Sequence, residues 1–191
     1  MGKTIIALSF LALPLTAVAA PQSYTIDPEH TFPHFRISHL GFSTLMGRFN
    51  ETNGKLVIDK ENNTGSVEVV IDAASIDTDH KKRDDHLRSP DFLNAVEFPE
   101  ITYESTDVTI HDDGSAVVEG ELTITGVTKP VTLNVSRMNC DIHPMDPEKK
   151  KYVCGFDATA NIKRSDFGVD YALPAIGDEM ELIFGVEAIR D

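Results

Sequence analysis

The chain has no tryptophan, two cysteines, and 17 lysine or arginine side chains against 31 acidic ones. The resulting formal charge of −14 leaves no basic patch for phosphate backbones or anionic headgroups. Neither nucleic-acid binding nor charge-driven adhesion to a membrane is therefore expected. Beyond the N-terminus no apolar run approaches the roughly 20 residues of a helical membrane span. Fixed-period repeats, low-complexity linkers, a P-loop, a dinucleotide fingerprint and a G-x-S-x-G elbow are all missing. The seven histidines are scattered. His34 and His39 fall on opposite faces of one extended run, His80 and His86 diverge by roughly 120° on a helix, and His30, His111 and His143 sit singly in turns. With no HxH, HExxH or Cys/His quartet, neither a metal site nor a cofactor is expected. Asp166-Phe167-Gly168 matches the kinase magnesium motif in letters only.

What is present begins with an export signal. Lys3 precedes an apolar run from Ile5 to Val18 and then small residues, the layout of a secretory signal peptide. Ala17-Val18-Ala19 is an A-x-A site, and cleavage is expected between Ala19 and Ala20, since a cut after Ala20 would place Pro21 at the scissile bond. The remaining residues, 20–191, fit one domain. Cys140 and Cys154 flank a turn-rich segment in a chain bound for an oxidising compartment, so a disulfide closing that hairpin is expected, with free buried thiols as the alternative. A loop of this length corresponds to about 3 kcal/mol in the chain-entropy model.

Most of the chain alternates apolar and polar residues with the period of two that marks a strand with one buried face. Val67, Val69 and Ile71 share a face, as do Leu122 and Ile124 with Ala116 and Val118, and Met180, Leu182, Phe184, Val186 and Ala188. Ile101 and Tyr103 have the opposite parity to Val108 and Ile110, which predicts a bulge between Ser105 and Asp107, because an uncorrected slip would turn the apolar face to water. Gly41 and Gly47 are expected bend or bulge points, and turns are expected at 62–65, 112–114 and 126–130. Eight or nine such strands joined by short turns describe an antiparallel barrel or sandwich. Small residues at inward positions, Ala116, Gly120, Ala158, Ala160 and Ala188, favour a hollow barrel, whose interior can hold a ligand. The alternative is a solid core filled by the ten phenylalanines.

The one long interruption is Ile76 to Ala95, too polar for a core helix. It reads as a short helical insertion supported by pairs Asp79–Arg83, Lys81–Asp85 and Asp84–Arg88. A second helical turn is expected to start at Ser89, anchored by Phe92 and Leu93. Asp84-Asp85 reads as part of a solvated face, and Leu87, Phe92 and Leu93 as facing the barrel.

Five motifs in order, HLGFSTLMGRF, IDTDHKKRDDHLRSPDFLN, TGVTKPVTLNV, IKRSDFG and GDEMELIFGVEA, together resemble the YceI-like family of periplasmic polyisoprenoid-binding proteins. The resemblance covers essentially the whole chain after the signal. It implies a lipocalin-like extended antiparallel β-barrel in the periplasm that encloses an isoprenoid lipid, such as a polyprenyl or quinone tail, and that binds, transports or stores it without catalysis or cofactor. By position, Phe35, Ile37, Leu45, Phe49, Val69, Ile71, Leu122, Phe156, Ala158, Leu182 and Phe184 would face the tunnel. His39, Arg83, Leu87, Phe92 and Leu93 would form the lid or mouth.

Two other functions fit the same residues. One is an enzyme acting on a prenyl headgroup at the barrel mouth, with His80, Arg83, Asp84 or His86 as polar participants. The other is a stress-related interaction protein, its barrel packed solid, whose lid docks transiently on a membrane partner.

Overall fold

The computed structural model describes residues 20–191, so the expected signal segment lies outside the described residues. The alternating segments form eleven strands: β1 Gln22–Ile26, β2 Phe32–His39, β3 Ser43–Phe49, β4 Thr52–Asp59, β5 Thr64–Asp72, β6 Ile76–Asp77, β7 Glu100–Ile110, β8 Ala116–Ile124, β9 Val127–Ile142, β10 Tyr152–Lys163 and β11 Ile176–Arg190, with one short helix, α1 Lys81–Leu87. All pairings are antiparallel. Eight strands close on themselves in the order β1-β4-β5-β7-β8-β9-β10-β11, because β1 bonds to both β4 and β11. The expected antiparallel barrel with a helical insertion is what forms.

The long strand β11 extends past this closed part and carries β2, β3 and β6 beside it. There β6 pairs with β3 and the ladder stops. Beside β6 lies α1 and not another strand, and Arg88 at the end of that helix donates to the carbonyls of Ala74 and Ile76. The insertion therefore enters the fold at the end of the barrel where the wall is incomplete.

The bulge predicted from parity is present: the register of β7 on β8 shifts between Ser105 and Asp107. Ile101, Tyr103, Val108 and Ile110 are consequently all buried. A second shift lies between Asp157 and Ala158, where Arg137 pairs Asp157 and Val135 pairs Ala158. It brings Met138 of β9 onto the face of Val131, Leu133 and Val135.

Several local expectations are corrected. Gly47 is no bend; it pairs in register with Phe35, and the Phe35 ring lies where a side chain at 47 would go. The turn after β8 is confined to Thr125 and Gly126, and Pro130 lies inside β9 opposite Glu121. Proline is tolerated there because β10 pairs with β9 only from Asn134 onward, so no ladder bond is lost. Cys140 and Cys154 are cross-strand partners and form the expected disulfide.

The insertion also departs from its expected pairing. Lys81 bonds to Asp85, but Arg83 turns to Thr78, and Arg88 binds the carbonyls of Ala74 and Ile76 together with Asp85. Asp84 is buried, accepting hydrogen bonds from the Thr78 amide at 3.0 Å and its hydroxyl at 2.5 Å. An acid that caps a buried backbone amide contributes more inside than on the surface, which is why the solvated reading holds for Asp85 alone. The turn expected at Ser89 forms, with the Phe92 amide bonded to the Ser89 carbonyl, and further turns follow it.

Candidate functional site

Inward-facing side chains of the strands surround a cavity of about 420 Å³, which runs from Ile110, Ala116 and Met138 at one end to α1 and the loop after β10 at the other. Its wall is overwhelmingly aliphatic and aromatic. Phe156, Leu182, Phe184 and Val186 point inward on β10 and β11 yet are only partly buried. They line the cavity, so their residual exposure is to the hollow and not to bulk water. The interior is therefore not packed solid.

All eleven residues expected at the tunnel wall line this cavity: Phe35, Ile37, Leu45, Phe49, Val69, Ile71, Leu122, Phe156, Ala158, Leu182 and Phe184. His39, Arg83, Leu87, Phe92 and Leu93 line its lid end. The small residues explain the hollow less well than expected. Ala116 and Ala158 border it, but Ala160 and Ala188 are buried without bordering it, and the space above Gly120 is filled by Tyr103. The volume comes from barrel closure.

Three cavity-lining residues are exposed, His86, Tyr171 and Ala172, and all are at the lid end. This is the mouth. His86 and Phe92 from the insertion meet Tyr171 from the β10–β11 loop in an edge-packed trio, with centroid separations of 5.1, 5.2 and 5.3 Å. His86 Nε2 also lies 2.8 Å from Asp91 Oδ2. Aromatic edges of this kind are worth about 0.5–1.5 kcal/mol per pair and join the insertion to the β10–β11 loop.

The opposing loop is built by IKRSDFG. Arg164 is buried and donates through Nε, Nη1 and Nη2 to the carbonyls of Gly177, Val169 and Ile176. Burial lowers its pKa, and the charges of Asp178 and Asp170 work against that. Ser165 donates its amide and hydroxyl to Asp178, whose carboxyl is thereby held below its usual range. Gly168 takes a left-handed conformation, which lets the chain reverse and leaves Phe167 buried beneath the loop.

Reasoning from sequence did not place Tyr103, Met138, Arg164, Phe167 or Tyr171 at the cavity. Met138 was accessible in principle, since Val131, Leu133 and Val135 are followed by Met138 and Cys140 with a slip of one, the same signature that located the bulge in β7. The loop residues carry no periodicity, and their positions depend on hydrogen bonds made across the barrel end. Of the polar groups considered for acid–base chemistry, His80 caps α1 through a bond from the Arg83 amide. Asp84 is committed to Thr78.

A family model for the YceI-like domain matches residues 24–188. The chain belongs to the YceI-like family. Among curated relatives of this YceI-like chain, a UPF0312 protein of Yersinia pestis is 43% identical over 194 residues, covering 100% of this chain and 98% of that protein. A UPF0312 protein of Yersinia enterocolitica is 43% identical over 193 residues. The YceI-like barrel also resembles solved structures. Burkholderia cenocepacia BcnA has a TM-score of 0.73 at 23% identity, covering 85% of this chain and 98% of that one. The Campylobacter jejuni YCEI protein has a TM-score of 0.69 at 27% identity, covering 81% and 90%. A Saccharophagus degradans domain described as polyisoprenoid binding and implicated in plant cell wall breakdown has a TM-score of 0.63 at 17% identity, covering 89% and 99%.

Proposed function

We propose that this YceI-like barrel binds a long isoprenoid lipid, of polyprenyl or quinone type, with its tail in the central cavity, and carries or stores it in the periplasm. The observation that carries this reading is the apolar cavity itself, extended along the barrel and opening beside an aromatic clasp. Removing an apolar tail from water supplies about 25 cal/mol per Å², and an interior with so few polar groups selects for a chain with none. The Saccharophagus domain, of the same fold, bears the description of a polyisoprenoid binder. Export is supported by the signal-like N-terminus, and a disulfide suits an oxidising compartment.

The experiment is organic extraction of the protein purified from its native host, followed by mass spectrometry, together with uptake assays using polyprenols and quinones. Recovery of a prenyl lipid is the expected result. Protein that is repeatedly empty and takes up neither class would overturn the reading.

A further inference from the structure

Two runs of the chain carry no charge. Residues 37–47 and 171–177 contain no Asp, Glu, Lys or Arg, in a sequence whose charged share is 25%. The first crosses the turn between β2 and β3, and the second belongs to the β10–β11 loop and the start of β11. The fold sets them side by side, with the Leu40 amide donating to the Ala175 carbonyl at 2.8 Å and His39 paired with Ile176. What they present to solvent is apolar: Phe42 is 90% exposed, and Leu40, Tyr171 and Leu173 are exposed beside it.

Local folding does not account for these residues. Leu40 and Gly41, at the centre of the turn, have φ of 55° and 71°, and Ala172 in the facing loop has φ of 60°. Such backbone suits Gly, Asn and Asp and disfavours leucine. A leucine held at positive φ with its side chain in water, next to a phenylalanine in water, costs the folded chain stability and solubility, so its use lies in a contact outside the chain. The patch also has a definite place. His39, Tyr171, Ala172 and Ile176 line the cavity at its lid end, whereas Leu40, Phe42 and Leu173 do not line it and form its outer rim.

We propose that this rim is a docking surface for a lipid bilayer, with Leu40, Phe42 and Leu173 entering the boundary between headgroups and acyl chains and the cavity mouth held against the membrane. The proposal rests on the lipid-binding reading and adds where the lipid is exchanged. A bilayer fits better than a protein partner because the two loops offer no charge with which to select one. Whatever covers the rim also covers the opening of an apolar cavity, and a bilayer is the surface that supplies or accepts an apolar chain there. A chain of net charge −14 gains no attraction to anionic lipid, so the contact depends on apolar insertion through a face without carboxylates.

The chain contains no tryptophan, so one substitution makes a local reporter. Phe42→Trp is compared with Met145→Trp, which lies 82% exposed in the β9–β10 hairpin at the far end of the barrel, on addition of vesicles of phosphatidylethanolamine and phosphatidylcholine. Emission of Phe42→Trp should shift to the blue and be quenched by brominated acyl chains, with little dependence on salt, and Met145→Trp should do neither. Phe42→Ser should weaken vesicle binding in co-sedimentation about tenfold or more, the loss of one buried ring. Leu40→Asn should weaken it too while raising the thermal midpoint, a combination that a purely structural leucine would not give. No shift at 42, or equal shifts at 42 and 145, would overturn the docking surface. So would a shift at 42 that appears without vesicles and grows with protein concentration, which would assign the patch to a second copy of the chain. Uptake of a polyprenol from detergent solution, measured on the same proteins, separates the two readings. Uptake without docking removes this proposal alone, and docking without uptake supports the membrane surface while counting against lipid carriage.

Discussion

The ring of Tyr103 lies in the space above Gly120, where a side-chain carbon would come within 2.6 Å of its Cζ and Oη. From there its hydroxyl lies 3.0 Å from the carbonyls of both Val118 and Val131, so one phenol braces β8 and β9 from inside the barrel. Burial, with a smaller contribution from the charge of Glu119, raises its pKa well above the usual tyrosine value, and it stays neutral in any physiological medium. Gly120→Ala should displace the ring and break this brace, since the added carbon would also meet the Glu104 carbonyl at 2.6 Å. The expected loss is about 2–3 kcal/mol, from overpacking and the lost hydrogen bond, seen as a thermal midpoint lower by roughly 4–12 °C.

Thr52 presents the opposite case. It is 1% exposed and its Oγ1 is buried with no hydrogen-bond partner among the described residues. A buried hydroxyl without a partner has lost its water and gained nothing. Thr52→Val, which keeps the shape, should leave stability unchanged or raise it by up to about 1 kcal/mol in chemical denaturation. A clear loss would show that the hydroxyl is bonded in solution.

At the mouth, Phe92 contacts both His86 and Tyr171 and borders the cavity. Phe92→Ala should speed release of bound lipid severalfold, measured by transfer of a fluorescent prenyl probe to acceptor vesicles. Exchanging Lys81 and Asp85, a pair on the outer face of α1, should leave the rate nearly unchanged. If both variants behave alike, the clasp is not the gate.

Acid should loosen the loop opposite the lid. The Asp178 carboxyl is lowered chiefly by the Ser165 amide and then by its hydroxyl. A carboxyl whose folded pKa is depressed contributes stability that is present above its unfolded value, near 3.9, and is lost as pH falls through the folded pKa. Hydrogen exchange over residues 164–178 should therefore be flat from neutral pH to about pH 4, once corrected for intrinsic rates, and should accelerate below it. Asp178→Asn should show the faster exchange at every pH.

Much of this architecture was legible without coordinates because period-two alternation and barrel closure share one physical cause. Each strand must bury one face, and a slipped register in β7 had to be absorbed by a bulge, so parity alone located the break between Ser105 and Asp107. The eleven wall residues were expected from their positions under the YceI-like resemblance, and they border the cavity because inward and outward positions alternate along each strand. The cysteine pair followed from spacing and from the compartment expected for the chain.

Tertiary structure alone decided what the polar and irregular segments do. Asp84 and Arg83 are adjacent in a run of charges, and helical spacing offered each a partner four residues away. Both instead converge on Thr78, because a buried backbone amide and hydroxyl reward a charged partner more than a surface ion pair does. Glycine at 120 suggests empty volume, but Tyr103 lies over it, a diagonal contact set by the twist and register of β7 on β8. Local sequence determines which face of a strand is apolar. Which distant groups meet at the barrel end depends on closure, and closure brings Tyr171 of the β10–β11 loop against His86 and Phe92 of the insertion.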